Sequence, residues 1–150
     1  MLQHGLVRPR HDLAEIQRAI EGEASAIQDY SKLLCMAPSD EDRENLRAII
    51  ADETKHFLSF RALYWRLTGV CPPPVVARPP AFAGYAEGLR ESFYDELHDA
   101  RFYRSIMLST CDPGVACVFY EASTDEMMHA TRFSRLLCLV EEAENTERRH

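Results

Sequence analysis

The sequence predicts an all-α fold: an antiparallel four-helix bundle made of two helical hairpins. Three observations point there. Apolar residues recur at steps of three and four along four long segments, the period of amphipathic helices. The two halves of the chain repeat one another at a constant offset. Five of the eight prolines fall between Thr68 and Pro80, so a long non-helical connection divides the second segment from the third.

The first segment, from about Asp12 to Met36, carries Ile16, Ile20, Glu23, Ile27, Tyr30 and Leu34 on one stripe. Met36-Ala37-Pro38-Ser39-Asp40 breaks the pattern, and Ser39 or Asp40 is placed to cap the next helix. That helix, from about Glu41 to Thr68, shows Leu46, Ile49, Glu53, His56, Phe60, Leu63 and Leu67, with Gly69 as its stop. The third, about Tyr85 to Ser109, has Leu89, Ser92, Glu96, Tyr103 and Met107 on one face. After the breakers Cys111-Asp112-Pro113-Gly114, the fourth starts near Val115. Its stripe is Phe119, Ala122, Glu126, His129, Phe133, Leu136 and Val140, and the polar end from Glu141 to His150 is expected to fray. Relating two similar hairpins by a pseudo-twofold requires one long crossover, as in ferritin-like bundles. A single hairpin would make a poor core alone. Residues 1–150 are therefore read as one domain, with hairpins at about 12–68 and 85–140.

Composition narrows the function classes. A net charge of −7 and the absence of any Lys/Arg-rich run argue against a nucleic-acid surface. No stretch of about 18 apolar residues is present to cross a membrane. Residues 1–10 lack the apolar run of a signal peptide. The five cysteines form no CxxC pair, so they are read as reduced thiols of a cytoplasmic protein.

The repeat carries the chemistry. A step of 73 residues takes Asp52 to Asp125, Glu53 to Glu126, His56 to His129, Phe60 to Phe133 and Leu63 to Leu136. The same step takes Glu23 to Glu96 and Tyr30 to Tyr103. Glu and His three apart on a helix project from one face and can reach one metal ion. A lone ExxH is weak, but here two copies lie within apolar stripes. Four unpaired buried carboxylates would cost far more than a domain's stability of roughly 5–15 kcal/mol. No Lys or Arg shares the inner stripe, so bound metal is the economical way to neutralise them. Carboxylate oxygens with imidazole nitrogens suit iron or manganese, and zinc can compete. One Glu from each of two helices and Glu-x-x-His from each of the others is the di-metal carboxylate set of ferritin-like bundles. Asp52 and Asp125, rotated by about 100° from the glutamates that follow them, are expected to pair across the bundle. Asp52 should meet His129 and Asp125 should meet His56, each taking the ring N–H that does not face metal. For Tyr30 and Tyr103, plain packing and a hydrogen bond to a ligand on another helix stand level. His4, His11 and His98 are read as surface residues.

Glu-x6-Tyr followed by Glu-x-x-His, twice over residues 12 to 140, resembles the rubrerythrin family of the ferritin-like superfamily. The resemblance implies a di-iron centre bridged by Glu53 and Glu126. It makes Glu23 and Glu96 terminal ligands, and has His56 and His129 complete one metal each. Rubrerythrins have a further carboxylate one turn after the third-helix Glu; here Asp99 stands there, one methylene shorter than Glu. The implied activity is reduction of hydrogen peroxide or dioxygen. The rubredoxin domain of typical rubrerythrins, with its two CxxC motifs, is absent, so a separate electron donor would be needed. Relatives of the same fold leave two alternatives, a di-metal oxygenase on an organic substrate and a non-catalytic metal-binding or assembly protein. Apolar residues outside the stripes, Phe57, Tyr64, Trp65, Phe93, Leu97 and Leu137, lead us to expect a homodimer.

Overall fold

The computed structural model describes residues 10–147. Its regular structure is four helices: α1 (Arg10–Met36), α2 (Asp40–Thr68), α3 (Tyr85–Ser109) and α4 (Pro113–Glu147). α1 packs along α2 and α3 along α4, as hairpin partners joined by short turns must. α2 also lies beside α4, and α1 beside α3, closing a four-helix bundle.

Local chemistry sets the helix ends. Ser39 caps α2, its hydroxyl accepting from the Asp42 N–H at 3.0 Å. Asp42 is itself buried, and its carboxylate accepts from the Ser39 and Tyr85 hydroxyls. That bond ties the start of α2 to the start of α3. Gly69, at φ 74°, takes the left-handed conformation that ends α2. Asp112 accepts from the Gly114 and Val115 N–H groups at 2.7 and 3.0 Å. α4 therefore starts at Pro113 rather than near Val115, with proline in the first-turn position that needs no N–H donor. At its far end α4 runs on to Glu147, past the fraying expected from Glu141. Residues 115–147 contain neither Gly nor Pro, and Glu and Ala favour helix.

Two apolar clusters form the core, and each draws on all four helices. One contains Ile20, Phe60, Tyr103 and Phe119; the other contains Tyr30, Ile49, Leu89 and Phe133. The stripes hold with small rotations. Leu33 rather than Leu34, and Ile106 rather than Met107, are fully buried, while Ile27, Leu67 and Val140 are half-buried. Where two adjacent residues are both apolar, a period of 3.6 does not say which one is central. Of the side chains expected at a dimer surface, Trp65 is exposed. Phe57, Tyr64, Phe93 and Leu137 instead pack partly against the core, and Leu97 is half-buried. No helix among the described residues is long and apolar enough to cross a membrane. All five cysteines are free and exposed.

The crossover from Val70 to Gly84 is extended and held at specific points. Phe82 inserts into the core, and Gly88 of α3 approaches it so closely that an added Cβ would lie 2.6 Å from its ring. The Lys32 ammonium donates to the Phe82 carbonyl and sits 4.5 Å above the ring centroid. Phe82→Ala should therefore destabilise the bundle by about 3 kcal/mol or more, measured by denaturant unfolding. A loss within error would mean that Phe82 is not what anchors the crossover.

Candidate metal centre

Between the two apolar clusters lies a polar layer made of the six repeated ligand candidates. Glu23, Glu53, His56, Glu96, Glu126 and His129 are all buried, none more than 3% exposed. They converge in two overlapping groups. Glu23, Glu53, His56 and Glu126 form one, and Glu53, Glu96, Glu126 and His129 the other. In each group one donor atom per residue lies within 4.8 Å of the rest. Glu53 and Glu126 belong to both groups, the place a bridging carboxylate must occupy.

The imidazoles are oriented as metal ligands would be. His56 Nδ1 points into the layer, 3.3 Å from both Glu53 and Glu126 and 3.9 Å from Glu23. His129 Nδ1 lies 2.8 Å from Glu53, 3.0 Å from Glu126 and 3.7 Å from Glu96. The ring centroids are 6.1 Å apart. Each Nε2 turns outward to the cross-strapping aspartate: His56 to Asp125 at 3.0 Å and His129 to Asp52 at 3.1 Å. The expected pairing is thus present in both directions. The tyrosines take the hydrogen-bonding alternative, again crosswise. The Tyr30 hydroxyl donates to Glu96 and the Tyr103 hydroxyl to Glu23, both at 2.6 Å. Asp99 is not in either group; it is half-buried, 3.3 Å from His98 Nδ1, and His98 is exposed. His4 lies outside the described residues, as does the side chain of His11.

Without metal, protons do the neutralising. Both nitrogens of each ring face carboxylates, an arrangement that only imidazolium satisfies fully. Burial opposes charge on His56, yet hydrogen bonds to Glu126 and Glu53 outweigh it and raise the ring from 6.5 to about 10. His129 is raised as well: burial is overcome by the carboxylates of Glu126, Glu53 and Glu96 that surround it. Burial, then the charges of Glu53 and Glu126, push Glu23 well above the carboxylate range. Burial does the same to Glu96, against the pull of the nearby His129 ring. For Glu53 burial is overridden by the adjacent imidazoles, His129 before His56, which hold it well below that range. Burial and the nearby glutamate charges keep both tyrosines protonated, as donors to a carboxylate must be.

The donor set is one that could hold metal. Glu53 Oε1 has no hydrogen-bond partner although it is buried, and its 2.8 Å approach to His129 Nδ1 is not aligned for a hydrogen bond. A buried carboxylate oxygen left without a hydrogen bond beside an inward imidazole nitrogen calls for a further partner, and a cation would supply one. Four carboxylates and two divalent ions balance in charge, with neutral imidazoles replacing the imidazolium form. Among the described residues, no cysteine sulfur belongs to either group.

Asp52→Asn should preserve the fold yet weaken metal affinity by roughly 10–100-fold, as read by competition with a chelator. Affinity equal to wild type would remove Asp52 from the working centre. The metal-free protein carries a pH signature. A raised His56 contributes stability that is complete below 6.5 and lost as pH rises through about 10. The raised carboxyls of Glu23 and Glu96 act in the same direction, from the ordinary carboxylate range upward. The thermal midpoint in excess chelator should therefore fall from about pH 6.5 to about pH 9. A midpoint rising across that window would contradict the protonated centre.

Comparison with known proteins agrees with the architecture. No family model matches the chain. Three solved structures share the fold. A conserved hypothetical protein from Mycobacterium tuberculosis superposes with a TM-score of 0.76 at 18% identity, covering 87% of this chain and 99% of that one. A hypothetical protein from Pyrococcus furiosus gives 0.75 at 17%, covering 87% and 90%. CopM in its Ag-bound form gives 0.71 at 14%, covering 83% and 92%. In sequence, the uncharacterized protein YhjR of Bacillus subtilis is 37% identical over 123 residues, 81% of this chain and 83% of YhjR. Identity of that level over that length shows common descent, and the chain belongs to the family of YhjR.

Proposed function

We propose that this protein is a di-metal carboxylate protein of the rubrerythrin type, with two iron ions, that reduces hydrogen peroxide or dioxygen using electrons from a separate donor. One observation carries the reading: the two buried ligand groups share Glu53 and Glu126 and each add their own terminal Glu and inward-facing His. Bound iron would supply Lewis acidity and reversible one-electron redox change at each ion. One peroxide takes two electrons and two protons to give two waters, so a paired centre matches the electron count of a single turnover. Glu23, Glu53 and His56 with Glu126 would hold one ion, and Glu96 with His129 and the shared glutamates the other. The donor set is oxygen and imidazole, which favours iron, manganese or zinc over the soft cation bound by CopM.

The chain's own residues do the rest. Tyr30 and Tyr103 fix the terminal carboxylates by short hydrogen bonds, leaving one oxygen of each free to coordinate. Asp52 and Asp125 hold the imidazoles in the tautomer that presents Nδ1 inward. Phe60 and Phe119 on one side, with Phe133 on the other, exclude bulk water from the layer.

Anaerobic ferrous protein treated with peroxide should oxidise rapidly, consuming about one peroxide per two irons. Oxidation no faster than that of ferrous ion in buffer would overturn the redox reading and leave a metal-holding role.

A further inference from the structure

All six ligand residues are buried, so an ion must cross a wall of the bundle to reach them. The α2–α4 wall is spanned by the Asp52–His129 and Asp125–His56 pairs, with Lys55 4.0 Å from Asp125. The α1–α3 wall is different. A groove of about 750 Å³ opens there beneath the crossover and reaches down to Tyr30 and Tyr103. It ends one hydrogen bond short of the terminal ligands Glu96 and Glu23.

The repeat shows how the groove is made. On α1 it is lined by Gly22, Ser25 and Ala26; on α3 it is lined by Asp95, His98 and Asp99. These are the same three positions in the two repeats, and all three have diverged, whereas the tyrosines below them are identical. One helix supplies space and the other supplies polar donors. A Cβ added at Gly22 would meet nothing nearer than the Tyr103 hydroxyl, at 3.9 Å. Glu21 and Asp29 add two further carboxylates from the α1 side, where Arg18 also lines the groove. Overhead, Arg78 of the crossover donates its backbone N–H to the Ser25 hydroxyl at 3.3 Å and stands in the field of both Asp29 and Asp95. Four carboxylates outnumber the two arginines of the lining, Arg18 and Arg78, so the groove draws a hydrated cation, whereas a neutral oxidant would not call for that excess.

We propose that this groove is the port through which divalent cations load the buried centre, with Asp29, Asp95 and Asp99 receiving the hydrated ion and the Tyr30–Glu96 and Tyr103–Glu23 pairs forming its inner gate. The proposal rests on the reading of the polar layer as a metal centre. Arg78 occupies in the metal-free chain the electrostatic position that an arriving cation takes over. Passage inward then requires the tyrosine hydroxyls to yield their carboxylates to the ion.

The test is the rate of Co(II) uptake by the metal-depleted protein, followed by absorbance after rapid mixing. Asp29→Asn with Asp95→Asn should slow loading by about tenfold at low salt and by much less at high salt. Gly22→Leu, which fills the groove, should slow it at least as much at either salt. Final cobalt content should match wild type in both. Met128→Phe, at the exposed outer surface of α4, should load at the wild-type rate. Full cobalt content reached at the wild-type rate in the double Asn variant would overturn the port, as would equal slowing by Met128→Phe. Should Gly22→Leu fail to fold by circular dichroism, the double Asn variant alone decides. A wild-type chain that takes up no cobalt would instead sink the metal-centre reading beneath it.

Discussion

The constraint on which this structure depends is the placement of four carboxylates and two imidazoles in the middle of a small hydrophobic core. Water cannot solvate them there, and no Lys or Arg ion pair reaches any of the six among the described residues. Their charges have to be cancelled within the layer itself. Protons can do this, through imidazolium rings and neutral terminal glutamates, or two cations can. The apolar clusters above and below raise the stakes, since a low local dielectric strengthens each paired contact and penalises each unpaired one. The same layers fix the ligand rotamers, because each helix enters the polar layer from one packed cluster and leaves it into the other.

The duplication turns this constraint into an architecture. Each support runs from one hairpin to a ligand of the other: Tyr30 to Glu96, Tyr103 to Glu23, Asp52 to His129 and Asp125 to His56. Neither hairpin has a complete centre alone, so site assembly and bundle assembly are one event. The crossover breaks the symmetry. It passes over the α1–α3 side, where Phe82 anchors it and Arg78 reaches the acidic groove. Gly22, Ser25 and Ala26 beneath it differ in character from their repeat partners Asp95, His98 and Asp99, small on α1 and polar on α3.

Much of this was legible in the sequence. The offset that pairs Glu53-His56 with Glu126-His129 marks both the buried carboxylate–imidazole layer and the pseudo-twofold, and the twofold is what makes Asp52 face His129. Helix phase was less legible where apolar neighbours compete, as with Leu33 and Leu34 or Ile106 and Met107, because their burial depends on a rotation of tens of degrees. The tyrosines stood undecided because a helical period places a side chain on a face without naming its partner across the bundle. The groove escaped notice for a related reason. Gly22, Ser25 and Ala26 are unremarkable on a helix, and only the separation of α1 from α3 turns them into an opening. Nothing local marks Asp42, because its partner Tyr85 is distant in sequence.

The most direct test of the central claim is X-ray absorption at the metal edge of the iron-loaded protein. Two ions sharing Glu53 and Glu126 should give an oxygen- and nitrogen-only first shell, together with metal–metal scattering at about 3.5–4 Å. A first shell containing sulfur, or an isolated ion with no metal neighbour at that distance, would contradict a paired carboxylate centre.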